Sequence, residues 1–251
     1  MAHIFLSGAQ TALFRQGMPI FMLHKVSALP ASTRDPFDYM TPEVLDAKLG
    51  ALARAGFSSV PLDEVSRSPI SEKGGKFVLT FDDGYRSVSE NALTILARHR
   101  VTAIQFLVVG EIGGQNRWDI AKGETAEPLM DKEQVQSWLA AGHAIGSHSV
   151  SHPNLRKVSK AEAREEIVGS KKRLEDTFGV PVNHFCYPSG RYSPAVKEQV
   201  QEAGYQTACT VNFGVNVEGD SPFELRRISP LYGSEILAKV CHRLRRKFSR
   251  I

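Results

Sequence analysis

Two adjacent aspartates, Asp82 and Asp83, close an apolar run in LTFDDGY (79–85) and are followed by Gly84. Neighbouring residues on a strand point to opposite faces, so two acids at this place should not do the same job. Two histidines four apart, His148 and His152, stand in SHSVSHP (147–153), and a third polar stretch, CYPSGRYS, covers 186–193. Taken singly, each has a plain reading. Asp-Asp-Gly is a turn or a helix cap, the histidines are solvated loop residues, and YPSG is a turn. Taken together they have the composition of a reactive centre. Histidines at i,i+4 face one point if the segment turns helically. Two imidazoles and one carboxylate make a three-ligand site with an open position, the usual composition of a catalytic zinc centre; a structural one would ask for a fourth ligand. Metal-bound water loses its proton near neutral pH, and a separate carboxylate beside it assists attack. One acid of the pair then ligates and the other takes the proton, with Gly84 letting the backbone turn sharply enough for both to reach one place.

These stretches must be carried by elements that end together. PIFMLHKV (19–26), FSSV (57–60), KFVLTF (76–81), TAIQFLVV (102–109), HAIGSHS (143–149), HFCYP (184–188) and QTACTV (206–211) read as strands. Between them lie helical segments with clear starts and stops. Thr41 caps a helix that has Pro42 first and Gly56 after it, Asp131 with Gln134 and Ser159 with Glu162 form capping boxes, and Ser193 caps a last one before Gly204. The alternation predicts an α/β fold with a mostly parallel sheet and helices outside, either a barrel or an open sheet. In such folds the site lies at the C-terminal ends of the strands, where all three polar stretches fall. Residues 110–130 have no period and predict a long loop, whose Trp118 either stacks on a sugar ring or pins the loop to the body.

The chain has 251 residues, enough for a sizeable core, and no linker or repeat divides it, so one domain over 1–251 is expected. The net charge of +4 is concentrated at the end, where 239–251 carries Lys239, Arg243, Arg245, Arg246, Lys247 and Arg250 and no acid. That pattern describes a basic amphipathic segment over 234–251, suited to peripheral contact with an anionic membrane face or to packing on the body, and not a nucleic-acid-binding surface. Cys186, Cys209 and Cys241 are odd in number and far apart, which predicts reduced thiols. The N-terminus lacks the pattern of a signal peptide and no run is long enough to span a bilayer, so a cytoplasmic location, with membrane association through the basic end, is the expectation.

TFDDGY followed by HSVSHP resembles the first two motifs of the polysaccharide deacetylase family, the NodB-homology domain of carbohydrate esterase family 4, and the resemblance spans about 19–229. It implies a single-domain deformed (β/α) barrel of about seven parallel strands and metal-dependent removal of N-acetyl groups from amino sugars. By position it makes Asp82 the general base and Asp83, His148 and His152 the ligands of one divalent ion, zinc foremost, with cobalt, nickel or iron as alternatives. The third motif departs from the common form: Cys186 and Ser189 stand where that form has arginine and tyrosine. The family uses the backbone N–H at the Ser189 position for the oxyanion, and any residue but proline supplies one. Tyr187 and Tyr192 line the groove or pack in the core. The missing arginine finds a substitute in FELRRISP (223–230): Arg227 resembles an arginine of the poly-N-acetylglucosamine branch, whereas Arg226 points the other way on a strand. That branch also carries a histidine on its first strand, which FMLHKV matches at His24, suited to protonating the leaving amine. His242 reads as helix surface, and His143 and His184 as structural. The implied partner is an N-acetylated saccharide, polymeric or lipid-linked. Two other readings stay open: a related amidohydrolase acting on formamides or cyclic amides, and a saccharide-binding homologue without catalysis.

Overall fold

The computed structural model describes residues 6–33, 35–67 and 74–229. The basic segment 234–251, with Cys241 and His242, lies outside the described residues.

Among the described residues ten strands appear in chain order: β1 (Ile20–Leu23), β2 (Lys25–Val26), β3 (Tyr39–Met40), β4 (Ser58–Ser59), β5 (Lys76–Phe81), β6 (Ile104–Leu107), β7 (Ala144–Ser147), β8 (His184–Cys186), β9 (Thr207–Phe213) and β10 (Leu225–Arg227). Seven of them line up in parallel as β1-β5-β6-β7-β8-β9-β10, with β4 added beside the start of β5. Ile228 then bridges Phe21 in parallel, donating to the Ile20 carbonyl at 2.8 Å and accepting from the Met22 N–H at 2.9 Å. The ring is thereby nearly closed, a (β/α) barrel, and the barrel alternative of the sequence reading is the one realised. β2 and β3 form a separate two-stranded ladder after β1.

Strand alternation divides the core. Val78, Thr80 and Asp82 share one face of β5, and Phe77, Leu79 and Phe81 the other. The first face meets Ile20, Ile104, Phe106, Cys209 and Leu225 inside the ring, while the second packs under the helices with Leu45, Leu49, Leu96 and Trp138. Every residue of β6 and β8 is buried, the polar Gln105 and His184 included, as expected of strands covered on both faces. Gly146 on β7 is required by packing: a Cβ there would stand 2.5 Å from the Phe106 ring.

The helix signals work as local chemistry predicts. Thr41 caps Pro42–Arg54, and both capping boxes close, Asp131 with Gln134 before Lys132–Ala140 and Ser159 with Glu162 before Lys160–Arg164. Two expected continuous elements are interrupted. The strand over 19–26 breaks at His24, where the chain leaves the ring. The helix over 159–179 contains a π-helical turn, Glu165–Gly169, between Lys160–Arg164 and Ser170–Phe178. The long loop holds a single-turn helix, Arg117–Ile120.

Candidate active site

β5 continues for one residue past Phe81, since the Asp82 N–H donates to the Leu23 carbonyl at 2.9 Å. Asp83 then turns out of the strand with φ 72° and Gly84 with φ 86°. The left-handed conformation costs a non-glycine residue about 1–2 kcal/mol. It also resolves the puzzle of two neighbouring acids, because Asp83 no longer obeys strand alternation. Both carboxylates now lie near His148, Asp82 in a cluster with His148 and Cys186 and Asp83 in one with His148 and His152, each set with its candidate ligand atoms within 4.8 Å of one another.

Asp82 is 2% exposed and fully engaged. Arg227 reaches it from β10 with two parallel bonds, Nη1 to Oδ1 and Nη2 to Oδ2, both 2.7 Å. The same guanidinium donates through Nε to the Thr210 carbonyl at 2.8 Å, through Nη1 to Thr80 Oγ1 at 3.0 Å, and through Nη2 to Cys186 Sγ at 3.1 Å. Burial pushes the Cys186 thiol up to about 11, so it stays protonated and turns its S–H toward Asp82 Oδ2 at 3.5 Å. Burial is the largest single influence on the Asp82 carboxyl and opposes its charge. The Arg227 charge and hydrogen bonds, with His148 and His24, outweigh it and hold the group below the ordinary carboxylate range. Arg226, the neighbouring strand residue, points away to Asp220 at 3.2 Å.

Asp83 is also buried, but its Oδ1 has no hydrogen-bond partner among the described residues. Two imidazole nitrogens face that oxygen, His148 Nε2 at 3.4 Å and His152 Nε2 at 3.6 Å. The Asp83 carboxyl is held below its usual range because the nearby His148 and His152 rings, with His24, overcome the opposing effect of burial. The histidines converge by a route the sequence reading did not foresee. Residues 148–152 do not form a helical turn. Ser149 and His152 are left-handed, with φ 70° and 59°, and the Ser149 hydroxyl accepts the His152 N–H at 3.0 Å. The i,i+4 spacing therefore works through a tight loop, where short polar side chains stabilise the backbone. His148 Nδ1 lies 2.7 Å from the Cys186 carbonyl, which only accepts, so this nitrogen carries a proton and in the neutral ring Nε2 is the free lone pair. Burial pushes His152 down to about 3, so this ring is neutral. Burial also opposes charge on His148, but the Cys186, Asp83 and Asp82 groups outweigh it and raise that pKa well above 6.5, so a cation bound there would displace the Nε2 proton. An orphaned buried carboxylate oxygen facing two imidazole nitrogens fits a divalent cation. The second cluster does not, because the Arg227 guanidinium already occupies the space between Asp82 and Cys186 as their cation.

On the opposite side of Asp82 stands His24, 21% exposed, with Nε2 3.9 Å from Asp82 Oδ2 and Nδ1 3.6 Å from Asp38 Oδ1. Burial favours the neutral ring, yet the charges of Asp38, then Asp82 and Asp83, raise its pKa above 6.5. Asp38 is a site residue that the sequence reading missed. It ends the Pro36–Asp38 single turn, twelve positions or more from any motif, and its acidity is the only hint the sequence carries. Lys25 completes this side, 3% exposed, with its ammonium over the Tyr39 and Tyr85 rings at 4.4 and 4.6 Å and 4.0 Å from Asp38.

The remaining expected groove residues divide. Ser189 is left-handed, φ 52°, in the single turn Pro188–Gly190, whose flanking N–H groups on Gly190 and Arg191 close back on Tyr187 and Pro188. Tyr187 is a correction: its ring is fully buried, stacked on Tyr192 at 4.4 Å, and its hydroxyl donates to the Phe223 carbonyl, so it packs in the core and has no face for a substrate. Tyr192 is half-buried and donates to Glu224 at 2.7 Å. Trp118 packs its ring on His152 with centroids 4.6 Å apart, so its loop is pinned directly to a metal-ligand candidate.

Comparison with known proteins points one way. The family model for polysaccharide deacetylase matches residues 71–208. That stretch holds Asp82, Asp83, His148, His152 and the turn at Ser189, and leaves His24 and Arg227 outside. The Bacillus subtilis protein YxkH is 25% identical over 214 residues, 84% of this chain and 70% of its own length. The peptidoglycan-N-acetylglucosamine deacetylase PgdA of Listeria monocytogenes is 33% identical over 144 residues, 57% of this chain but 27% of PgdA. Among solved structures, IcaB from Ammonifex degensii superposes with a TM-score of 0.75 at 20% identity, covering 90% of this chain and 96% of IcaB, a likeness of fold.

Proposed function

The chain belongs to the polysaccharide deacetylase family, and from that premise we propose that it hydrolyses the N-acetyl group of an amino sugar within a saccharide, with Asp83, His148 and His152 holding one divalent ion. The observation that carries this reading is the contrast between two adjacent carboxylates, one saturated by Arg227 and one left open between two imidazoles. When bound, the ion supplies Lewis acidity toward the acetamide carbonyl and toward water, with zinc the first candidate.

The chain's own residues do the rest. Asp82, kept ionised and oriented by Arg227, accepts the proton of the attacking water. The Ser189 N–H donates to the oxygen that gains charge as the carbonyl carbon becomes tetrahedral. His24, whose pKa the Asp38 charge raises against burial, delivers its proton to the departing amine nitrogen, releasing acetate and a free amino sugar. Tyr192 and Trp118 border the site and bear on how the saccharide seats.

Substrate choice follows from a weaker set of observations. PgdA's name specifies N-acetylglucosamine in peptidoglycan, and the His24 and Arg227 arrangement resembles the poly-N-acetylglucosamine branch. An N-acetylglucosamine-containing glycan, polymeric or lipid-linked, is therefore the substrate class proposed. Among the described residues no helix is long and apolar enough to cross a membrane. Peripheral membrane contact through 234–251 is proposed from its charge alone, and cosedimentation with anionic liposomes, with and without that segment, tests it.

The decisive assay is acetate release from a panel of N-acetylated saccharides by protein loaded with defined metals. Release from at least one, abolished by a chelator, is expected. Formate release from formamides instead would favour the amidohydrolase alternative. Saccharide binding without any release would leave a non-catalytic homologue.

A further inference from the structure

The loop that carries both histidines is clamped from outside the site by a single side chain. Glu166 accepts the Val150 N–H at 2.8 Å and the Ser151 N–H at 2.9 Å on Oε2, and the Ser151 hydroxyl at 2.6 Å on Oε1. Glu166 belongs to the π-helical turn Glu165–Gly169. Such turns widen the helix by one residue and are frequent at functional sites. The preceding residue, Glu165, points to solvent and pairs with Arg173 at 3.1 Å.

The same turn holds the loop at a second point. Tyr205 and Ser170 both donate to the Ile167 carbonyl, at 3.1 and 2.9 Å. The Ser170 hydroxyl also meets the Ser147 hydroxyl at 2.7 Å, and Ser147 Oγ accepts the Ser149 N–H at 3.2 Å. Ser147, Ser149 and Ser170 are fully buried. Three consecutive loop N–H groups, those of Ser149, Val150 and Ser151, are therefore fixed by the π turn, directly through Glu166 or through Ser170 and Ser147. A fourth, that of His152, is fixed by Ser149.

This loop contains two left-handed non-glycine residues, Ser149 and His152, which by themselves would relax toward ordinary conformations. Something must hold them, and the hydrogen bonds to the Glu166 carboxylate are charge-assisted. We propose that Glu166, presented by the π turn, is a positioning residue for the metal site: it holds the loop in the strained shape that brings His148 and His152 to Asp83, and so sets metal affinity. The inference rests on the metal-site reading given under Proposed function. Groups that support ligands from behind are worth about 10–100-fold in metal affinity in comparable sites.

The test is a chelator-competition titration of the full chain with zinc and with cobalt, the cobalt absorption spectrum reporting ligand geometry. Wild type should bind one ion. Glu166→Ala should weaken binding by about 10–100-fold and broaden or shift the cobalt bands. Glu166→Gln, which keeps a carbonyl oxygen for the two N–H groups, should recover part of the loss. Glu165→Ala should bind as wild type does. Ser151→Ala removes one bond of the clamp and should cost a few-fold, which keeps the proposal testable if Glu166→Ala does not fold. Melting of the metal-free proteins separates the roles. A Glu166→Ala protein that melts earlier yet binds metal with unchanged affinity and spectrum would overturn the clamp and leave a structural bond only. Failure of the wild type to bind any divalent ion would overturn the metal reading itself, and the clamp with it.

Discussion

Asp82 accepts two 2.7 Å bonds from one guanidinium, whereas Asp83, the next residue, presents a buried Oδ1 that no hydrogen bond reaches among the described residues. The surroundings differ in the same sense. Around Asp82 the barrel interior supplies Thr80, Thr210, Cys186 and Arg227, all on strands, with Arg227 bonded to each of the other three. Around Asp83 the groups come from a loop with two left-handed residues, and a third left-handed residue is Asp83 itself. A buried charge is tolerated only when it is paired and hydrogen-bonded. The Asp82 side meets that condition from the protein alone, and the Asp83 side is arranged so that a cation would meet it. Rigid strands suit a group whose orientation must not drift, and a clamped loop suits ligands that must close around an ion.

Exchanging the demands on the two acids breaks the comparison most sharply. Asp82→Asn should lower turnover by about 10²–10⁴-fold while metal content by elemental analysis stays at the wild-type level. Asp83→Asn should lose the metal instead. Near wild-type acetate release by Asp82→Asn would mean that the base lies elsewhere.

Next in size is Arg227→Met, which leaves Asp82 buried without its cation. Removing one partner of a buried pair costs about 3–5 kcal/mol, so the melting temperature should fall along with turnover. Arg227→Lys should rescue neither fully, because a point charge cannot make the paired bonds. A variant as stable and active as wild type would show that the saturated half is not what holds Asp82.

A smaller effect sharpens the third corner, His24. Its pKa is raised, so the protonated form required of a proton donor persists above pH 6.5, and turnover should fall as pH climbs through the raised value. Asp38→Asn removes the largest attractive charge on the ring, lowers that pKa, and should move the alkaline limb of the profile to lower pH. A limb that does not move would remove His24 from the role of acid. The smallest effect belongs to Trp118. Trp118→Leu loses a ring contact on His152 worth about 1 kcal/mol, and metal affinity should drop by tenfold or less.

What could be read along the chain and what could not follow from the range of the forces involved. The caps at Thr41, Asp131, Ser159 and Ser193 bond residues three apart, and each forms as expected. The apolar run of β5 ends where it was expected to end. The break at His24 was hidden, because nothing within 19–26 marks the point where a chain leaves a barrel. The π turn was hidden as well, since 159–179 keeps helical composition throughout and only the partners of Glu166, Ile167 and Ser170 give the wider turn its bonds. Asp38 carried no signal beyond its charge. Tyr187, next to a polar turn, looked available to a substrate, yet it follows β8 on the side of Phe185, where its ring is buried between the sheet and the helices.

Residue types and short spacings therefore determined the alternation of strands and helices, the ends of the strands, and the reactive inventory of two aspartates and two histidines. Tertiary structure alone decided how differently those two aspartates are surrounded. Arg227 lies 145 positions from Asp82 and meets it because closure of the ring sets β10 beside β1, next to β5. The open face of Asp83 likewise depends on a loop held by Glu166 from a different helix. Local hydrogen bonds and hydrophobic periodicity act within a few residues and can be read from order alone. The pairing of buried charges acts through space, and the fold determines which residues share it.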